Sequence, residues 1–168
     1  MNNLYTEASV KKKVTVGDTV IKCGVFAVVI TLLAIGLLFW NSLFIVLGIA
    51  GGALAFAFLP RLSVVYEYIF CDGQLDFDKI MAGEKRKHLY RLDLDQVLIV
   101  APENSHELDC YKNNNSAKKL DFSSREKDHR VYCIVESAGE QQTLVYFEPN
   151  EKMLSYMKQK APRKVTEY

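Results

Sequence analysis

The chain has 168 residues, with 21 Lys and Arg against 20 Asp and Glu, so its formal net charge is +1. This length allows one modest domain with an appendage, and the balanced charge argues against a dedicated nucleic-acid binder, whose domain is usually strongly basic. With 49% apolar and 24% charged residues, the composition also argues against a disordered chain.

Residues 1–19 are predicted to be a cytoplasmic tail. A long uncharged run lies further along the chain, over residues 23–60. No charged side chain occurs between Lys22 and Arg61. One helix over 23–60 would be about 57 Å long, nearly twice the hydrocarbon thickness of a bilayer. The stretch Trp-Asn-Ser at 40–42 interrupts the run with an interfacial aromatic residue and two turn formers. The sequence therefore predicts a transmembrane hairpin over 20–60, with helices at about 20–40 and 43–60.

Two other interpretations of this run are weaker. A buried hairpin of a soluble helical protein would need further helices to surround it, and the rest of the sequence has strand patterns. A cleaved signal peptide would have a shorter apolar segment closed by a small-x-small site, and the match Ala-Phe-Ala at 55–57 lies too far along the chain. We therefore expect an uncleaved hairpin.

The flanking charges predict the orientation of the hairpin. Lys11, Lys12, Lys13 and Lys22 lie on the N-terminal side of the uncharged run, and Arg61 follows it. By the positive-inside bias, both termini face the cytoplasm and the protein is a multi-pass protein of the cell membrane. Because no charged residue lies between Lys22 and Arg61, there is no candidate residue within the membrane for an ion pathway or a proton relay.

Two glycines in the second span form a Gly-x-x-x-Gly pair, Gly48 and Gly52. Small residues at this spacing let helix backbones approach closely. They predict a helix-packing face, either between the two spans themselves, which is the favoured interpretation, or against a partner helix or second copy.

Strand patterns fill the segment 62–161, which is predicted to be a cytoplasmic domain followed by a tail over 162–168. Asp72-Gly73 marks a tight hairpin turn, and Leu75 and Phe77 alternate with acidic residues. A helix-start signal at 148–150 and a stop at Pro162 bound one amphipathic helix. The predicted strands lie at 64–70, 75–78, 84–89, 92–100, 118–122, 130–136 and 142–147.

This order of about seven short strands and a C-terminal helix resembles a pleckstrin-homology-like (PH-like) domain, as found in bacterial membrane proteins that place it directly after a transmembrane hairpin. The stretches 66–70, 72–80 and 144–157 carry the resemblance, which implies a domain that binds or scaffolds. The phosphoinositide-binding members have basic residues around the first hairpin. This hairpin carries Asp72, Asp76 and Asp78, so no phosphoinositide site is expected there.

Residues that could carry chemistry are few. Cys23, Cys71, Cys110 and Cys133 have no Cys-x-x-Cys spacing, and a cytoplasmic location argues against disulfides. Neither a metal-ligand pattern with the histidines nor a catalytic signature is recognisable. The acidic pairs Asp76/Asp78 and Asp93/Asp95 share a strand face at i, i+2, where they could bind a cation or act in acid–base chemistry. A solvent-facing position opposite the apolar residues explains both pairs without any function and is the favoured interpretation.

The densest basic run after the hairpin is Lys85, Arg86 and Lys87, followed by His88. Each cation near an anionic membrane surface contributes about 1 kcal/mol, so these residues are candidates for lipid contact. Strand alternation would split them across two faces, and exposed strand charges commonly protect an edge from aggregation.

The sequence thus predicts an α+β protein: a two-helix transmembrane hairpin and a PH-like antiparallel β-sandwich or barrel closed by a helix. We expect a non-catalytic binding or scaffold module for a protein partner or the inner leaflet, without metal, cofactor or nucleic acid. The alternatives are a small membrane-tethered enzyme that pairs Cys71 or Cys133 with a histidine, and an accessory subunit of a larger membrane complex.

Overall fold

The computed structural model describes residues 4–14, 16–40, 42–59, 64–81, 85–114, 116–126, 129–139 and 141–166. Contacts divide the chain into two units. One contains the helices α1 (Val16–Leu38) and α2 (Ser42–Phe58). The other contains two four-stranded sheets. The predicted α+β class is confirmed.

The helix pair α1 and α2 is packed through glycines. A Cβ atom added at Gly36 would lie 2.7 Å from Cγ1 of Ile45, and one added at Gly48 would lie 2.6 Å from Cδ2 of Leu33. These distances are shorter than any normal contact, so the two backbones approach this closely only because both positions lack a side chain.

The outward faces of the helix pair are apolar and exposed. Only 6% of the most apolar 18-residue stretch of α1 is buried. The core helix of a soluble protein, by contrast, is mostly buried. With 23 residues and a mean hydropathy of 2.5, α1 is long and apolar enough to cross a membrane. The 17 residues of α2 are at the lower end of the range of about 17–25 for spanning helices.

The first sheet has the order β1-β2-β3-β4. Its strands are β1 (Tyr5–Lys11), β2 (Val64–Cys71), β3 (Gln74–Met81) and β4 (Lys85–Asp93). The predicted turn at Asp72-Gly73 joins β2 to β3 with φ angles of 45° and 103°, the left-handed values that a tight hairpin turn requires.

Strand β1 is absent from the sequence prediction, which places these residues in an N-terminal tail. It pairs antiparallel with β2 from Tyr5 opposite Cys71 to Lys11 opposite Val65. The segment was missed because Thr, Glu, Ala, Ser and Lys dominate it, so its local pattern is weak and its pairing depends on a strand far along the chain. The helix pair therefore lies in the sequence between two paired strands, and the domain begins before it.

The second sheet has the order β5-β7-β8-β6. Its strands are β5 (Val97–Pro102), β6 (Lys118–Asp121), β7 (Tyr132–Ala138) and β8 (Gln141–Phe147). Strand β7 is antiparallel to β5 and β8, but β6 runs parallel to β8. The described strands thus number eight rather than about seven, and the second sheet is mixed rather than wholly antiparallel.

Aromatic side chains join the two sheets. The ring of Tyr68 lies 5.6 Å from that of Phe77 and 5.7 Å from that of Phe147. Tyr68 also donates a hydrogen bond of 2.6 Å from its hydroxyl to the carbonyl oxygen of Phe122. All four residues are buried, so they form the centre of the sandwich.

A second apolar cluster covers the other face of the second sheet. Leu108, which ends the 3-10 turn His106–Leu108, is fully buried there. The turn leads into the short helix α3 (Asp109–Lys112). Residues 103–114 therefore form a packed cover over this face of the sheet. The buried members of the cluster are Ala101, Leu108, Cys133, Val135, Leu144 and Tyr146.

Helix α4 (Glu151–Lys160) follows β8 where the sequence predicts a helix. The side chain of Asn150 accepts a hydrogen bond of 2.7 Å from the backbone N–H of Met153 and so caps the first turn. After α4, the chain turns and Val165 forms an isolated parallel bridge with Val100 of β5.

Candidate functional site

Arg86 and His88 of the predicted basic run have acidic partners on the first sheet. Arg86 pairs with Glu67, and its Nε lies 3.6 Å from Oδ2 of Asp78. His88 Nδ1 lies 2.9 Å from Oδ1 of the same carboxylate. Lys87 is exposed, and the side chain of Lys85 is outside the described part of the structure. The positive charge of Arg86 is therefore compensated within the sheet.

The acidic pair of β3 also has partners within the sheet. Asp76 receives two hydrogen bonds from Arg91, of 2.6 Å from Nε and 3.0 Å from Nη2. Asp78, which a simple alternation would expose, is buried beside Arg86 and His88. Both carboxylates thus stabilise cross-strand contacts. Among the described residues, no group of three or more His, Cys, Asp or Glu is placed to hold a metal ion.

The cysteines are distributed over separate environments. Cys71 and Cys110 are exposed, whereas Cys133 is buried. Burial, the largest cause, raises the pKa of the Cys133 thiol to about 12. Because the thiolate is the nucleophilic form, Cys133 is unsuited to attack a substrate at neutral pH.

A polar cluster that the sequence did not reveal lies beside β8. Its centre is the buried carboxylate of Glu148, which accepts hydrogen bonds from the backbone N–H and the hydroxyl of Ser124 at 2.6 and 2.8 Å. His129 Nδ1 lies 2.7 Å from the same carboxylate. These residues are separated by up to 24 positions in the sequence, and no spacing pattern connects them.

This cluster contains a Ser, a His and a Glu but lacks the geometry of a nucleophilic triad. Ser124 is only 1% exposed, and its hydroxyl already donates a hydrogen bond to Glu148. His129 directs one nitrogen, Nδ1, towards both the serine and the glutamate. A triad would need the second nitrogen at the serine. The backbone N–H of Lys13 donates to the carbonyl oxygen of Ser124 at 2.9 Å, so the cluster also fixes the segment that follows β1.

Two open grooves meet at His129 and Arg130. One, of about 490 Å³, also has Glu103, Arg125 and Tyr132 in its lining. The other, of about 560 Å³, lies between the segment 7–10 of β1 and the segment 148–150. Their walls mix acidic and basic side chains, so they favour no single charge class of small ligand.

The two predicted packing glycines face α1. Gly48 is buried against Leu33, and a Cβ added at Gly52 would lie 3.6 Å from Cγ1 of Val29. Both positions therefore contact the neighbouring helix of the same chain.

The edge of the second sheet at β5 is occupied by residues from the C-terminal part of the chain. The backbone N–H of Val100 donates to the carbonyl oxygen of Lys164 at 2.7 Å, and the N–H of Thr166 donates to the carbonyl oxygen of Val100 at 2.8 Å. This site consists of the backbone N–H and C=O groups of Val100, which could form the same hydrogen bonds with another strand.

A family model described as bacterial PH-like domain (DUF6106) matches residues 2–167. No curated protein and no solved structure matches the chain. The matched range includes β1, the helix pair and both sheets.

Proposed function

This chain belongs to the family of bacterial PH-like domains, and we propose that it is an integral membrane protein whose PH-like domain is a non-catalytic binding module for a protein partner at the cytoplasmic face. Membrane anchoring is carried by one observation above all. The large apolar side chains of the helix pair are exposed on its outward faces, and burial in lipid is the environment that suits such a surface.

The pairing of β1 with β2 supports a double crossing. These strands lie on either side of the helix pair in the sequence and are hydrogen-bonded to each other over seven residue pairs. Paired strands must be in one compartment, so both ends of the helix pair are on one side of the membrane. A single crossing by α1 would separate them, and α2 therefore provides the return span.

The flanking lysines support a cytoplasmic domain. Lys11, Lys12 and Lys13 precede α1, and Lys22 lies in its second turn. Positive residues at the ends of membrane helices favour the cytoplasmic side. Arg61, the predicted basic flank after α2, lies outside the described residues.

A protein partner is favoured over the lipid surface because Arg86, one of the three candidate lipid-binding residues, is already paired within the sheet. Arg86 is compensated by Glu67 and Asp78, and Arg91 by Asp76. A surface of balanced ion pairs offers little net attraction to anionic headgroups. Binding to vesicles of anionic phospholipid by a chain already held in a nanodisc would contradict this choice.

The proposed topology is tested by labelling cysteines with a membrane-impermeant maleimide in intact cells. Three chains with a single cysteine are compared: native Cys71, native Cys110, and W40C in a cysteine-free background. We expect labelling of W40C in intact cells, and labelling of the other two only after lysis. Labelling of Cys71 in intact cells, or release of the protein from membranes by alkaline carbonate, would overturn the proposal.

A further inference from the structure

Strand β5 is an edge strand whose outer side is only partly covered. β7 pairs with it on one side. On the other side, Val165 is the one residue of the described part of the chain that forms a bridge with β5, a parallel bridge to Val100. Edge strands expose backbone N–H and C=O groups that recruit further strands unless they are protected.

The covering segment 164–166 is held like a bound peptide. Val165 is buried at 5% exposure. Lys164 Nζ donates to the carbonyl oxygens of Leu94 and Asp95, both at 2.9 Å, and Thr166 Oγ1 donates to Glu107 Oε2 at 2.9 Å. A basic residue, a β-branched apolar residue and a hydroxyl residue therefore each have a matching site beside β5.

Segment 164–166 does not cover the end of β5 near Leu98. The backbone N–H of Lys164 donates to the carbonyl oxygen of Ala161, so the chain leaves α4 through a tight turn and cannot extend along β5 before residue 164. Leu98 stays 44% exposed, at a register irregularity between Val97 and Ile99. At the other end of β5, Pro102 has no N–H to offer a further strand.

We propose that the outer edge of β5 is a strand-addition site for an extended segment of the protein partner, and that segment 164–166 keeps this site closed until the partner displaces it. The inference rests on the proposed role as a binding module. The partner segment runs parallel to β5, with a β-branched residue opposite Val100, a basic residue before it and a hydroxyl residue after it. An apolar residue two positions before the β-branched one covers Leu98, which the internal segment cannot do.

The additional contact with Leu98 explains how a partner strand displaces segment 164–166. Main-chain hydrogen bonds provide affinity in strand addition, and pockets for alternate side chains provide specificity. A partner strand gains the same bridge at Val100 together with contacts at Leu98. The closed form lowers the apparent affinity by the fraction of molecules that are open, so weakening the internal strand must strengthen binding.

The first test measures binding of a fluorescent peptide to the full chain in nanodiscs. The probe is the chain's own segment 161–166 with Val in place of Arg at position 163, and the control probe carries Asp in place of Val at position 165. V165D is expected to bind the probe at least about tenfold more tightly than the unmodified chain. The control probe should not bind, and L98D added to V165D should remove most of the gain. Equal binding by V165D and the unmodified chain would overturn the site.

A second test needs no substitution in the bridge. In the unmodified chain, we expect the amide hydrogen of Val100 to exchange with solvent at least about tenfold faster than those of Ile134 and Val145, because the segment opens without unfolding the sheet. Equal protection would show that the edge is permanently closed and would contradict the proposal, even if V165D does not fold. A chain that passes the topology test but fails both of these retains the proposed function and loses only the β5 site.

Discussion

At the scale of single residues, burial decides which groups react and which hold the fold. Tyr68 donates to the carbonyl oxygen of Phe122 in the centre of the sandwich, and Tyr90 donates to the buried carboxylate of Glu136. The backbone N–H and the hydroxyl of Ser124 both donate hydrogen bonds to the buried carboxylate of Glu148. Such buried polar groups are stabilising only while they are paired, so these contacts hold together the strands and loops that carry them.

Thiol reactivity follows from the same burial. With one cysteine retained at a time, we expect Cys71 to react rapidly with a water-soluble maleimide in detergent, and Cys133 to react only after unfolding. Burial raises the pKa of the Cys133 thiol to about 12 and also blocks access. The measurement is the labelling rate by mass spectrometry. Equal rates for the two native proteins would contradict the described environment of Cys133.

Alkaline pH should destabilise the domain. Burial raises the pKa of Tyr90 to about 12, and the bonded Glu136 carboxylate adds to this effect. Burial likewise raises the pKa of Tyr146 to about 12. Between the ordinary value of 10.0 and about 12, the unfolded chain loses these protons while the folded chain keeps them. Stability is therefore unaffected below pH 10.0 and falls as the pH rises through this window.

The measurement is a tyrosinate absorbance titration of the folded protein, alongside denaturant unfolding at each pH. Y90F serves as the control and should remove one tyrosine from the late-titrating class. Simultaneous ionisation of all nine tyrosines near pH 10.0 in the folded protein would refute the assignment.

At the scale of elements, glycine positions determine how α1 meets α2. A side chain at Gly48 collides with Leu33, whereas a Cβ at Gly24 has nothing within 4 Å among the described residues. The packing of the helix pair thus requires a glycine at Gly48 but not at Gly24.

We expect G48L to lower the stability of the helix pair by about 1–3 kcal/mol, the usual cost of overpacking. G24L is the matched control and should be neutral or slightly stabilising, since leucine has the better helix propensity by about 1 kcal/mol or less. Thermal unfolding in detergent measures both. A G24L protein as destabilised as G48L would show that Gly24 is covered by a partner helix.

The elements also show which parts of the fold a sequence can reveal. The strands at 64–70 and 142–147 and helix α4 are confirmed, because alternation, a turn signal and capping residues are local patterns. β1 and the Val100–Val165 bridge depend on pairing between distant segments. The Ser124–Glu148–His129 cluster likewise depends on how loops are folded, and so none of the three was predicted.

At the scale of the whole molecule, the helix pair is an insertion in the domain. Lys11 and Val65 are opposite each other on β1 and β2, so their Cα atoms are separated by about 4.5–5.5 Å. That distance suits a two-residue turn. The helix pair can therefore be removed without disturbing the sheet, provided that β1 is kept.

We expect a chain in which Asn-Gly joins Lys11 to Val65 to be soluble and monomeric, with the near-ultraviolet circular dichroism of a packed aromatic core. The matched control begins at residue 64 and lacks β1. Its β2 becomes an unprotected edge, which promotes aggregation. Size-exclusion chromatography separates the outcomes, and equal solubility and stability of the two proteins would show that β1 contributes nothing.

The insertion has a consequence for biosynthesis. β1 leaves the ribosome before the helix pair, and the fifty or so residues between the two strands take roughly 3–10 s to translate at typical rates. During that interval β1 has no partner from its own sheet. In the proposed topology, β1 and β2 meet only when the second helix has returned to the side that the first one left. In that topology, closure of the sheet would depend on correct insertion of both helices, and a chain with one helix misplaced would keep an unpaired β2 edge.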